Sequence, residues 1–324
     1  MRDLTPILLT PILHPAFEPA VVPRASRLKI NDLNLGRLRV PMLPIHKIVW
    51  HEWREKRVPQ RVPEPEAMVD PEQIRAYVKA YEWGGPTSAL QLHHLRELGA
   101  MIKPGDIVLD MACGPGPLLL ELAALYPDVS FVGADLSQPM LDAMLDAARV
   151  RQLSNVSAVC QDITTLPGVQ PASVDMVIST SALHHLPDLH ALDAAFGCIQ
   201  GVLKPGGGIY IFDFGLLKST KTQDIMVAEV AKLAPKITVI DYQNSLRAAF
   251  QISDVVECAK RRLDLPFKVK TSSFVDFFYF LQSSPRCEVA PGTLAYLARV
   301  RHTLDFNMKA EYSMLRLMRR ELAL

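Results

Sequence analysis

The stretch Val108–Leu120, VLDMACGPGPLLL, decides how this chain is read. IVLDMA, from Ile107, has the length and apolar content of a buried strand, with the acid Asp110 near its end. Gly114 and Gly116 then flank Pro115, and PLLLELAALY continues as a helix. Glycine lets the backbone come close to a ligand, and a helix start offers N–H groups with no partner in the helix. A strand, an acid, a glycine turn and a helix start together form the opening of a nucleotide cradle.

Outward from this stretch, strands and helices alternate. SFVGAD, VSAVCQD, VDMVISTSA and GIYIFDF read as strands. In SQPMLDAMLDAARVRQL, Ser137 is placed to cap a helix whose stripe is Met140, Leu141, Met144, Leu145 and Ala148. DLHALDAAFGCIQGVL reads as a helix stopped by KPGGG, with Gly206 to Gly208 expected to supply a left-handed cap. Strands apolar on both faces and separated by helices predict a mostly parallel sheet covered on two sides. In such a sheet ligands bind beyond the carboxyl ends of the strands, where the strand order reverses. Further on, FKVKTSSFVDFFYFL predicts a closing antiparallel pair, and Pro291–Leu324 two more helices.

The ligand has two candidates: a dinucleotide, with its pyrophosphate, or S-adenosylmethionine (SAM), which has none. A dinucleotide loop wants a third glycine at position 119, where Leu119 stands. Asp135, about 20 positions beyond Gly114, serves a ribose diol in either case. Asp110 separates them. A carboxylate at the mouth of the first strand repels phosphates, but it suits the ammonium and sulfonium of SAM.

Asp110-Met-Ala-Cys-Gly114-Pro-Gly116 resembles the first motif of the class I SAM-dependent methyltransferases, with Ala112 where that motif has its first glycine. Four more segments resemble family motifs in order, between about Met101 and Phe214: GADLSQPML, CQDITTLP, VDMVISTSALHHLPD and LKPGGGIYIFD. The resemblance implies a Rossmann-like, doubly wound, seven-stranded sheet. It also implies SAM as cofactor, S-adenosylhomocysteine as product, and no metal. Carried over residue by residue, it puts Asp110, Ala112, Gly114 and Gly116 around the cofactor, Asp135 on the ribose with Leu136 beside it, and Asp162 and Ile163 on the adenine. Ser179, which opens the STSA stretch at the end of the fourth strand, is placed by the same resemblance among the cofactor-binding residues. An asparagine-proline-proline-tyrosine motif would stand there in enzymes methylating amide or nucleobase nitrogens.

Methyl transfer is an in-line displacement that needs alignment, exclusion of water and, for a protonated nucleophile, a base. His184 and His185 follow the fourth strand, and either one is a candidate base or a scaffold for the turn. His93 and His94 read as surface or packing residues. Tyr81 has two readings, a contact to the SAM carboxylate or substrate and a core aromatic. Asp213 and Tyr242 are the other candidate substrate contacts. Phe250, Phe274, Phe277, Phe278 and Phe280 read either as a pocket or as core.

The 324 residues carry a net charge of +1, which gives no field to recruit nucleic acid. Five scattered cysteines lack any metal or disulfide spacing, so the cytoplasm is the expected compartment. No apolar run reaches the roughly 20 residues of a membrane span. Eleven of the 25 prolines precede Gln73, so residues 1–70 read as a proline-rich arm rather than a packed helical domain. Three fates are open to it: wrapping over the catalytic domain, contacting a partner or second copy, or disorder. The SAM-binding domain is expected over 71–283, with a lid-like insertion near 215–250 and a helical extension over 284–324. The leading function is methylation of a small metabolite at O, N or C. The alternatives are a peptide or protein acceptor, or SAM binding without turnover.

Overall fold

The computed structural model describes residues 44–65, 70–232, 234–317 and 319–322. Three helices precede the first strand: α1 (Ile45–Arg54), α2 (Pro71–Ala80) and α3 (Ser88–Gly99). The alternating part follows: β1 (Ile107–Met111), α4 (Pro117–Leu125), β2 (Ser130–Asp135), α5 (Gln138–Val150), β3 (Val156–Cys160), β4 (Val174–Thr180), α6 (Leu189–Val202) and β5 (Leu203–Phe214). Then come α7 (Thr220–Val230), α8 (Lys236–Ala248), α9 (Ile252–Arg262), β6 (Phe267–Ser272), β7 (Phe278–Ser283), α10 (Pro291–Thr303), α11 (Phe306–Leu317) and β8 (Arg319–Glu321).

The sheet runs β3-β2-β1-β4-β5-β7-β6-β8. β1 to β5 pair in parallel, and β7 and β6 form the expected antiparallel closure. The seven-stranded doubly wound sheet is therefore present, and the three-residue β8 lengthens its edge. Strand order reverses between β1 and β4, so their carboxyl ends diverge into a crevice there.

Period-two alternation sends side chains to both faces of the sheet. Val108, Phe131, Met176, Tyr210 and Phe212 pack under α3, α4 and α5. Leu109, Met111, Val132, Val177 and Ile211 pack under α6 and α9. Met140, Leu141, Met144 and Ala148 of α5 are buried, and Ser137 caps that helix. His93 and His94 prove to be packing residues: both are buried, and Nδ1 of His94 lies 2.7 Å from the Tyr210 hydroxyl.

The glycine run corrects the sequence reading. α6 ends in extended backbone at Leu203 and passes directly into β5. Gly206, at φ +77°, lies instead in an irregularity where β4 positions 174–176 face Leu203 to Gly208. The arm also differs from its proline-based reading. Ile45–Arg54 contains no proline and is helical. Its Ile48 packs with Leu217, Met226 and Leu246. Among the described residues no helix is long and apolar enough to cross a membrane. All five cysteines are free thiols.

Candidate active site

The glycine turn alternates in hand. Ala112, Gly114 and Gly116 sit at φ +53°, +55° and +63°. Left-handed backbone is natural for glycine and costs an alanine about 1–2 kcal/mol, so strain is held at the cradle itself. A Cβ on Gly116 would lie 2.5 Å from Met144 Sδ, so this glycine serves the close packing of α4 on α5. Ala112 and Gly114 line a cleft of about 900 Å³, counted to its open mouth; Gly116 does not.

Of the three acids read from the motifs, Asp135 and Asp162 line the cleft, and Asp110 is buried near Asp135 without lining it. Asp110 is buried at the end of β1, with Oδ1 lacking a hydrogen-bond partner. Burial, then the nearby Asp135 charge, pushes its pKa well above the usual carboxylate range. Such a group calls for a cation, and the ammonium of SAM fits. Asp135 lines the cleft and accepts from Gly114 N–H and Ser137 N–H, each at 2.8 Å. Burial raises its pKa, and those two N–H groups act the other way. Leu136, Asp162 and Ile163 also line the cleft. Asp162 is held by the Thr164 N–H and hydroxyl, both at 2.7 Å. Ser179 differs from expectation: it is buried, and its hydroxyl donates to Met111 O at 2.9 Å, tying β4 to β1. Two residues on, Ser181, at φ +54°, reaches the cleft instead.

The two histidines have different surroundings. His184 is buried, with Nδ1 2.6 Å from Asp213 Oδ1 and Nε2 3.3 Å from Glu64 Oε1. Burial pulls its pKa down, but Asp213 and Glu64 outweigh that and raise it to about 10. At neutral pH it is an imidazolium with both nitrogens facing carboxylates, so it is no base. His185 lines the cleft, with Nδ1 3.1 Å from Pro65 O. Burial and the neighbouring His184 charge lower its pKa. A carbonyl partner requires the proton on Nδ1 and leaves the lone pair on Nε2.

Glu64, His184 and His185 bring donor atoms within 4.8 Å of one another. The two imidazole rings lie with centroids 4.5 Å apart and planes inclined by 32°. Nδ1 of each ring already faces an oxygen, Asp213 Oδ1 for His184 and Pro65 O for His185, so the cluster is described as a chain of ion pairs and hydrogen bonds.

The substrate-side candidates are redistributed. Asp213 does not open to the cleft, because His184 Nδ1, His184 N–H and Phe214 N–H take its oxygens. Tyr242 packs edge-on against Phe214, 6.0 Å between centroids, among the apolar residues under α1 and α7. Tyr81 stacks on Tyr77 at 4.8 Å, and it is Tyr77 that reaches the cleft wall. The signal for Tyr77 was its place four residues before Tyr81, on the same helix face. α8 lies over the histidine turn and joins α2 through Gln73 Nε2 donating to Asp241 Oδ1 at 2.8 Å.

Sequence reasoning missed Arg61 and Glu64. Arg61 donates to Ala248 O (2.5 Å), Pro187 O (2.6 Å), His184 O (2.7 Å) and Leu186 O. Its guanidinium lies 3.9 Å from the Phe250 ring centroid. Burial lowers the Arg61 pKa against the opposing charges of Glu64, Asp188 and Asp213. Nothing in RVPEPE distinguished these residues from solvated charge, since their partners lie more than a hundred positions away.

Comparison with known proteins gives three findings. Residues 108–207 match the model of a methyltransferase domain family. A ubiquinone biosynthesis O-methyltransferase from Idiomarina loihiensis is 34% identical over 154 residues, 44% of this chain and 60% of that protein. A U6 snRNA (guanine-N(2))-methyltransferase from Bos taurus is 41% identical over 81 residues, 25% of this chain and 16% of that protein. The match therefore spans less than two thirds of these relatives' length. The solved plantazolicin methyltransferase BpumL with S-adenosylhomocysteine shares the fold, at a TM-score of 0.50 and 16% identity, covering 73% of this chain and 87% of that one.

Proposed function

We propose that this chain, whose residues 108–207 match a methyltransferase-domain model, is a class I SAM-dependent methyltransferase that transfers a methyl group from SAM to an oxygen, nitrogen or carbon nucleophile of a small molecule. The single observation behind the acceptor side is His185: a cleft-lining imidazole, uncharged at neutral pH, with Nδ1 tied to Pro65 O.

When bound, SAM supplies a methyl on a cationic sulfur, an electrophile whose leaving group is a neutral thioether. The chain's own residues do the rest. Asp110 meets the ammonium, Asp135 accepts from the ribose hydroxyls, and Asp162 with Ile163 brackets the adenine. Nε2 of His185 would take the proton of the acceptor. His184, charged and held by Asp213 and Glu64, keeps the turn in place and its neighbour neutral. Tyr77, Leu186 and the α2–α8 contact help to exclude water. Residues 71–283 are assigned to this catalytic unit, with 215–250 as its lid, 284–324 as an extension and the arm as the part that supplies Glu64.

The test is calorimetry with SAM, S-adenosylhomocysteine and NAD, followed by transfer of a labelled methyl to panels of phenols, hydroxy acids and amines. Binding of both adenosyl ligands, with transfer that His185→Asn slows by about 10²- to 10⁴-fold, is expected. Binding of NAD alone overturns the reading.

A further inference from the structure

Helix α1 has an unusual distribution of side chains. Its inward face carries Ile48 and the acid Glu52, both buried. The Glu52 carboxylate accepts from Lys218 N–H and Ser219 N–H, each at 2.9 Å, at the start of α7. The outward face carries two indoles: Trp50 is 58% exposed and Trp53 76%. Exposed Lys47 and Arg54 share that face, and exposed Lys56 and Arg57 follow directly. The Arg54 guanidinium lies 4.9 Å from the Trp50 ring centroid. Because Glu52 is used internally, the exposed charges from Lys47 to Arg57 are four Lys or Arg side chains against one acid, Glu55.

Two exposed indoles on one helix leave a large apolar area in water. Tryptophan interleaved with lysine and arginine is the composition of a surface that lies in a lipid interface, with rings at headgroup depth and cations on the phosphates. A convex single-helix face, apolar at its centre and cationic around it, is complementary to a flat anionic surface. The same arm continues through Arg61 to Glu64 at His184, so a contact made by α1 lies on the element that holds the histidine turn beside the cleft.

We propose that α1 docks on an anionic lipid surface. Trp50 and Trp53 enter the headgroup boundary, while Lys47, Arg54, Lys56 and Arg57 engage lipid phosphates. This does not depend on the identity of the methyl acceptor.

The test uses the full chain with vesicles of phosphatidylcholine alone and of phosphatidylcholine with one-third phosphatidylglycerol. Sedimentation with the anionic vesicles, a blue shift of tryptophan emission on binding, and release by added salt are expected. The double variant Trp50→Ser, Trp53→Ser is expected to lose at least tenfold in vesicle partitioning while keeping its calorimetric affinity for S-adenosylhomocysteine, which shows that it is folded. Absence of sedimentation with anionic vesicles, or equal sedimentation of the parent and the double variant, overturns the proposal. A parent dimer that the double variant converts to a monomer, without any lipid effect, assigns the rings to a contact between copies and also overturns it.

Discussion

The Asp213 carboxylate grips His184 twice, by Nδ1 at 2.6 Å and by the backbone N–H at 3.0 Å. The end of β5 thereby fixes both the ring and the main chain of the turn after β4, and Glu64 closes the far side at 3.3 Å. An imidazolium between two buried carboxylates couples folding to protonation. Its folded pKa, about 10, is raised above the ordinary value of about 6.5. The stabilisation is thus fully present below about pH 6.5 and is lost as pH climbs to about 10. Urea midpoints are expected to fall across that window in the parent and to flatten in His184→Asn. Asp213→Asn removes the nearer carboxylate and leaves Glu64, at 3.3 Å, facing the imidazolium; it is expected to cost about 1.5–3 kcal/mol at pH 7, the range of a hydrogen bond to a charged group.

His185 and His184 are expected to separate in kinetics. His185→Asn removes the Nε2 lone pair and is expected to lower kcat by about 10²- to 10⁴-fold with unchanged SAM affinity. The parent's kcat is expected to fall on the acid side as Nε2 becomes protonated, and this limb should be absent from the residual activity of the variant. Full activity in His185→Asn would remove the base from the mechanism.

Asp135 has two jobs on one carboxylate: it orders Gly114 N–H and faces the cleft. Asp135→Ala is expected to weaken SAM binding at least tenfold, about 1.4 kcal/mol, by titration calorimetry. Asp135→Asn keeps acceptor capacity but not the charge, so it is expected to fall between the two.

The sheet was legible because most strands from Ile107 to Phe214 are apolar and are set off by a cap or turn, both local properties; β5 is the exception, since α6 runs straight into it. Asp110, Asp135 and Asp162 could be picked out for a local reason too: they stand at or just past strand ends, and strand ends meet at the crevice. The division of labour between His184 and His185 was not legible. It depends on Asp213, 29 positions away, and on Glu64 from an arm whose prolines hid its one helix. Ser179 was misplaced because alternation along β4 turns it to Met111, and only the left-handed Ser181 brings a side chain back to the cleft. Tyr242 was misplaced because position in a lid segment does not say which face of α8 is covered.

Ala112 stands at φ +53°, in a turn whose two other left-handed positions are glycines. Ala112→Gly relieves the Cβ–carbonyl crowding but increases the freedom of the unfolded chain. The first effect is about 1–2 kcal/mol and the second about 0.4–1 kcal/mol. A net gain below about 1.5 kcal/mol follows, read as a higher urea midpoint at unchanged slope. A loss of stability would mean that the alanine methyl contributes packing at the cleft wall that outweighs the strain.

Arg61 tests whether the arm is part of the site. Its guanidinium collects the carbonyl oxygens of His184, Leu186, Pro187 and Ala248, so it joins the histidine turn to the end of α8. Removing it leaves half-buried carbonyls without a charged donor and frees the chain that carries Glu64 and Pro65. Hydrogen bonds to a charged group are worth about 1.5–3 kcal/mol each, but water replaces part of that at this half-open position. Arg61→Ala is therefore expected to cost about 2 kcal/mol, to speed amide exchange across residues 183–187, and to lower kcat more than it raises the KM for SAM. Arg61→Lys keeps the charge but lacks the planar fork that serves several carbonyls at once, so only partial recovery is expected. Exchange at 183–187 identical to the parent in Arg61→Ala would show that the turn holds its shape without the arm, and that the arm's contacts do not position His185.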